Sequence, residues 1–369
     1  MSERKTHFSI KTTLMLAVVV SAMSAGCGPS EPLEFHPQWP DSPAPTRIKH
    51  IKNVRQSTDL VRPGFFDNIG HLIAGSVPLA MIRPNCIAVV EGKHIYVTDQ
   101  ERQAVFVLDL KKPKSRVITQ AGDMFFVSPV GVAVCGDMLA VADSALGEVF
   151  LLDSKDKLIK TLKKPSASFD KSARKASGFS RPTGLAWDPK AKLLYVVDTL
   201  ANEICVFDPA SGRMVRRFGS HGVNPGQFNY PTHIFLDHTG KVYVTDSLNF
   251  RVQMFDRKGK YLSHIGKLGD ASGHIAVPKG VGVDRFGHIY IVDSYLSTVQ
   301  IFDQKGRYLL GIGAPGKESG EFQVPTGLTV DSENKIYVCD SVNSRVQILQ
   351  YIGAPSDEGE QDGKNSKTP

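Results

Sequence analysis

Residues Val242–Asp256 read VYVTDSLNFRVQMFD: an alternating apolar run, a polar turn, then a second alternating run. From Ile336 the chain repeats the phrase as IYVCDSVNSRVQIL. Alternation of period two on both sides of a short polar turn predicts a β-hairpin. Alignment on the Asp that closes the first run finds six copies, at Asp99, Asp143, Asp198, Asp246, Asp293 and Asp340, spaced 44, 55, 48, 47 and 47 residues apart. A period in this range signals a repeat architecture.

Each copy has the same surroundings. A Pro-led apolar run stands ahead of the Asp: RPNCIAVV, SPVGVAV, RPTGLAW, YPTHIFL, VPKGVGV and VPTGLTV. A third run follows it, and in the clearer copies an Asp-x-x-Gly turn then leads to a fourth, as in DRKGKYLSHIG and DQKGRYLLGIG. Four short antiparallel strands cannot cover both faces of their own sheet, but six such sheets stacked about an axis cover one another. The predicted fold is all-β, a six-bladed β-propeller. The sixth copy runs out before its fourth strand, and Thr46–Val54 (TRIKHIKNV) is left over at the front. That segment is expected to pair outside Val346–Tyr351 and close the ring.

The combination of Pro-x-Gly, an apolar strand, YV-x-D-S-x-N-x-R-V and F-D-x-x-G resembles the NHL-repeat family of six-bladed propellers. The likeness runs over roughly residues 83–351 and is clearest in the last three units. The entry segment WPDSPAPTRIKHI looks like that of bacterial secreted or lipoprotein propellers of this type. The resemblance implies a fold; it leaves function to be argued from the residues.

In such a ring the Pro-led loops and the Asp-Ser turns share one face and the Asp-x-x-Gly turns the other, with the first strand of each unit along the central channel. Two residues after the Pro stand Cys86, Gly131, Gly184, His233, Gly280 and Gly327. His233 departs most from the pattern, and a channel histidine can serve as a metal ligand, a general base or a polar structural group. Peptide-amidating lyases resemble this layout but use several channel histidines around zinc. No other blade supplies His here, and His221 and His274 match no ligand spacing. The main reading therefore implies no cofactor, and a metal is left open for an enzyme centred on His233. One residue after the Pro, Lys279 stands where the others have Asn, Val or Thr, offering a cation to an anionic group. Lactonase-like propellers need carboxylates or Asn from several inner strands, and only Asn85 fits.

The repeated Asp is expected first to cap its turn. Arg251 and Arg345 stand within reach of Asp246 and Asp340; together with Asn249 and Asn343 they are candidate binding residues on the turn face. Glu148 and Glu203 replace that Arg in two consecutive blades, which predicts a locally acidic rim. The longest interval holds a basic stretch, with seven Lys and two Arg against two Asp over residues 155–181. It reads either as a solvated loop or as a contact arm for an acidic surface. It lacks the interleaved aromatics of a nucleic-acid site, so nucleic acid is not an expected partner. Of the cysteines after the front segment, Cys86, Cys135, Cys205 and Cys339, none forms a C-x-x-C motif. Cys86 and Cys339 become neighbours once the ring closes, as free thiols or as a bridge.

The ends carry localisation signals. Arg4, Lys5 and Lys11 precede an apolar run from Leu14 to Ala25, too short to span a bilayer and suited to a signal peptide. Ser24-Ala25-Gly26-Cys27 resembles a bacterial lipobox, which implies lipidation of Cys27 after removal of residues 1–26 and, in a Gram-negative host, the outer membrane. Residues 27–45 hold six prolines and read as an extended tether; residues 353–369 read as a disordered polar tail. With 41% hydrophobic and 22% charged residues, 33 Gly and 22 Pro, the body at 46–352 is globular, and a net charge of +7 says little about partners. The expectation is a lipid-anchored binding or scaffolding module of the cell envelope, meeting an envelope protein or an anionic glycan or lipid surface. The competing expectation is a lyase- or lactonase-type enzyme around His233.

Overall fold

A computed structural model describes residues 36–41, 44–61, 79–90, 92–113, 115–165 and 178–353. The leader, Cys27, residues 166–177 of the basic stretch and residues 354–369 of the polar tail lie outside the described residues. The described chain is almost entirely β, with one single-turn helix at Ser57–Leu60 and a 3-10 turn at Ser247–Asn249.

Six antiparallel sheets appear where the repeat places them. Their inner strands are Pro84–Val90, Pro129–Cys135, Pro182–Asp188, Pro231–Leu236, Pro278–Val283 and Pro325–Val330. Each pairs with the strand ending in the repeated Asp, which pairs with a third, and in blades 1 to 5 the third pairs with a fourth. The sixth blade takes its outer strand from the front of the chain: Ile48–Val54 runs antiparallel to Arg345–Tyr351, from Ile48 opposite Tyr351 to Val54 opposite Val346. The expected closure is present. Gln38–Trp39, inside the stretch read as tether, adds a further strand against Ile48 and Lys49. Trp39 packs on the cluster between blades 5 and 6, so the fold takes up the chain before residue 46.

There is no single central core. Six hydrophobic clusters each lie between two neighbouring blades: Val105, Phe106's neighbours and Val141 between blades 1 and 2, for example, and Val54, Val97, Cys339 and Val346 between blades 6 and 1. Each fully buried aliphatic or aromatic side chain in them contributes about 1.5–3 kcal/mol.

The inner strands stand so close together that a side chain is excluded at most ring positions. A Cβ at Gly131 would lie 1.9 Å from the carbonyl oxygen of Thr183, one at Gly327 2.4 Å from that of Asn85, and one at Gly280 2.4 Å from the amide nitrogen of Leu328. The Pro-x-Gly signature is a packing requirement of the ring.

Candidate binding site at the channel mouth

The repeated Asp is structural in all six blades, and each is fully buried. Its carboxylate ties the loop entering the inner strand to the hairpin turn. Asp143 accepts from the amides of Val127, Ser128, Ala145 and Leu146, and Asp293 from those of Ala276, Val277, Tyr295 and Leu296. In blade 4 side chains replace three of those amides: besides the amide of Asn229, Asp246 accepts from Asn249 Nδ2, Arg251 Nε at 2.8 Å and Gln253 Nε2. Arg251 Nη2 donates onward to the carbonyls of Asn224 and Gln227. Blade 6 repeats this with Asp340, Asn343, Arg345 and Gln347. Arg251 and Arg345 are buried, and Asn249 and Asn343 also donate to the carbonyls of Gly222 and Gly316. The donors named here are used inside the fold.

The acidic rim is corrected. Where Glu203 replaces the Arg of blade 3, Lys164 enters from the start of the basic stretch and sits 2.7 Å from both Asp198 and Glu203. Glu148 is partly buried, which raises its carboxyl above the usual range against the opposing charge of Lys163. In blade 3 the replaced arginine is thus answered by Lys164, and in blade 2 Lys163 supplies only a nearby opposing charge.

The residue after each Asp does a job that the sequence reading left out. Ser144, Thr199, Ser247 and Ser294 donate to the carbonyls of Pro182, Pro231, Pro278 and Pro325, each in the next blade, the first three at 2.6, 2.7 and 3.1 Å. The Asp fixes each turn to its own blade, and the hydroxyl hooks it to the next. The signal was visible as the recurrent Ser or Thr after Asp.

Inside this frame the channel opens on the turn face as a cavity of about 220 Å³, lined by Arg181, Tyr230, Thr232, His233, Lys279 and hydroxyl and amide side chains including Thr183, Asn85 and Gln100. Below it the channel widens to about 270 Å³ between apolar residues such as Leu185, Ile234, Phe235 and Leu328, and His233 and Gly184 line both parts. His233 and Lys279, singled out from sequence, are thus brought together; Arg181 and Tyr230, the residues before Pro182 and Pro231, were missed. His221 and His274 do not line the cavity.

Proton accounting fixes the state of the imidazole. Ser247 Oγ donates its single proton to Pro278, so the 2.8 Å bond to Thr232 Oγ1 uses the Thr232 proton. Thr232 must then accept from His233 Nδ1, 3.1 Å away, which leaves Nε2 as an acceptor. Burial, with the charge of Lys279 nearby, pushes the ring down to about 3, so it is neutral at physiological pH. Burial also lowers Lys279, and the Arg181 guanidinium adds to that. Arg181 donates to Tyr230 Oη at 2.8 Å. Among the lining residues there is no carboxylate, and among the described residues no ion pair is made by Lys279 or Arg181. Two cations, several neutral donors and no counter-charge make a site for an anion. A base as weak as this imidazole, without an acid beside it, is poorly suited to proton transfer. Among the described residues no group of three or more His, Cys, Asp or Glu is placed to hold a metal ion. All four described cysteines are free thiols; Cys86 and Cys339 face each other across the closing seam, and burial raises both.

Comparison with known proteins bears on the fold. A family described as SMP-30/Gluconolactonase/LRE-like region matches residues 83–266, and one described as a 6-bladed beta-propeller matches residues 283–352. NHL repeat-containing protein 2 of Gallus gallus is 29% identical over 160 residues, 37% of this chain and 22% of that protein. The chain thus spans less than a quarter of that relative's length. Among solved structures, a virginiamycin B lyase from Staphylococcus aureus superposes with a TM-score of 0.52 at 14% identity, over 73% of this chain and 95% of the other. An auxiliary nutrient binding protein from Bacteroides thetaiotaomicron does so at 0.56 and 12%, over 74% and 70%. With six closed blades and these matches, the chain is a six-bladed β-propeller, similar in part of its length to NHL repeat-containing proteins.

Proposed function

We propose that the protein is a binding module that takes an anionic group of its ligand at the channel mouth, between Lys279 and Arg181. The observation that carries this reading is the unpaired pair of cations above a neutral imidazole in a cavity whose lining has no carboxylate. Its structural neighbours include both a lyase and nutrient-binding proteins, so the fold is compatible with catalysis and with binding, and the lining supports binding. A lyase- or lactonase-type centre at His233 has no titratable partner of the right sign beside it. The front of the chain supports a location for the module: residues 1–26 as a signal peptide and Cys27 as a lipid anchor hold it, in this proposal, at the cell envelope.

The test is thermal unfolding with sodium phosphate, sulfate or acetate against sodium chloride at matched ionic strength. At ten times its dissociation constant an anion stabilises by about 1.4 kcal/mol, a rise of about 3 °C. Lys279→Met removes a half-buried cation that Arg181 repels, so the free variant is expected to melt higher than wild type and to lose the anion's shift. Equal shifts in both proteins would refute the site.

A further inference from the structure

The face around the mouth carries an apolar crescent. The residue two after the repeated Asp is Leu200, Leu248, Tyr295 and Val342 in blades 3 to 6, and these are between 45 and 73% exposed. In blades 1 and 2 the same position holds Glu101 and Ala145. All six lie on the face of the cavity, because the residue just before them, such as Ser144 or Thr199, lines it. Val277 and Val324, before the Pro of blades 5 and 6, are exposed on the same rim. Solvated turns ordinarily carry polar residues, and an exposed apolar cluster of this kind marks an interaction surface.

Two features separate this crescent from scattered surface hydrophobics. Its backbone is rigid: each turn is held by a buried Asp, and in blades 3 to 5 it is hooked to the next blade by the hydroxyl just before the apolar residue. A fixed backbone avoids the cost of ordering a loop on binding and leaves only that of ordering the side chains. Val324 also sits at φ +52°, a left-handed conformation that a β-branched residue adopts at a cost of about 1–2 kcal/mol. An Asn or Gly would relieve that strain, but neither would present the isopropyl group.

Resting on the anion site proposed above, we infer that the ligand is a segment of a partner protein whose carboxylate side chain enters the mouth while flanking apolar side chains lie on blades 3 to 6. Charge complementarity selects the carboxylate, since Lys279 and Arg181 are the cations that the mouth offers. His233 Nε2, an acceptor beside them, suits the N–H groups that a peptide carries next to its side chain and that a free inorganic anion lacks. The desolvated charge at the centre with apolar contacts around it follows the layout of protein interfaces in which central contacts dominate.

The experiment uses fluorophore-labelled peptides GSLVDLYGS, GSGGDGGGS and GSLVNLYGS, titrated against the full chain by anisotropy. The first is expected to bind at least tenfold tighter than the second, and the Leu248→Ser/Tyr295→Ser double variant to bring it down to the level of the second. Both changes are at exposed positions, and the melting midpoint of the variant checks its folding. Equal affinity for the first two peptides, including no binding of either, or no effect of the double variant, would overturn the crescent. Failure of the anion site reads differently: the Asn peptide would bind as tightly as the Asp peptide while the dependence on Leu248 and Tyr295 remained.

Discussion

Lys164 stands between two carboxylates, Asp198 fully buried and Glu203 nearly so, and only Glu203 has a second cation near it, Arg217 at 3.7 Å. Burial works against its charge, but hydrogen bonds to Asp198 and Glu203 outweigh that and raise it above the ordinary lysine value. Removing one partner of a buried pair leaves the other uncompensated and costs about 3–5 kcal/mol. Lys164→Met is therefore expected to lower stability by roughly that amount, read from the urea midpoint. The sign with pH follows from the raised value. The wild-type advantage is complete below the unfolded lysine value of about 10.4 and is lost as pH climbs through the higher folded value. A variant equal to wild type at pH 7 would show that Asp198 is held by the amides of Ser180 and Arg181 alone. None of this was readable in the sequence. Lys164 falls in a run of positive charge, and nothing in the run tells which of its lysines turns inward.

The inner strand is the element in which sequence and structure correspond most closely. Pro-x-Gly recurs because the chain must turn inward and then pass another backbone within contact distance. Gly131→Ala is expected to cost at least 2 kcal/mol, because the new Cβ would meet the Thr183 carbonyl and neither strand can withdraw without opening the layers on both sides. Gly178→Ala is the control: among the described residues its Cβ would meet only the Gly147 carbonyl, at 3.5 Å. Equal midpoints for the two variants would refute the close-approach account. Strand order was legible for the same reason, since Asp, Pro and Gly mark every boundary. The mouth was legible only in part. His233 and Lys279 break a repeated column and stand out by that alone. Arg181 and Tyr230 occupy a column that reads Arg, Ser, Arg, Tyr, Val and Val, with no common residue for them to depart from, so no pattern exposed them. The crescent of Leu200, Leu248, Tyr295 and Val342 was present in an aligned column, but a reading that looked for ionisable groups passed over it.

At the scale of the whole molecule, each blade is stabilised by its neighbours rather than by itself, so stability depends on there being no free edge. Ile48 and Val54, both fully buried, belong to the two clusters that flank blade 6, with Leu349 and Tyr351 in one and Val346 in the other. Trp39 extends the same cover. Removal of residues 1–54 would uncover these side chains and strip the ladder from Arg345–Tyr351, leaving a bare strand edge prone to association. The loss of two or three large apolar burials is worth about 5 kcal/mol or more. Because it falls at the seam, it should spread in both directions round the ring. The expectation is that the shortened chain melts well below the full one, associates, and exchanges the backbone amides of blades 6 and 1 fastest. The double variant Ile48→Asp/Val54→Asp in the full chain should reproduce that pattern without shortening it. Hydrogen exchange decides the matter. If protection in blades 1 and 6 matches that in blade 3 after either change, the ring is held by its interblade layers and not by the strand from the front of the chain. If blades 1 and 6 open first, the binding face is held in shape by a closure made far from it along the sequence. The rigid setting of Lys279 and Tyr295 would then depend on residues that never touch a ligand.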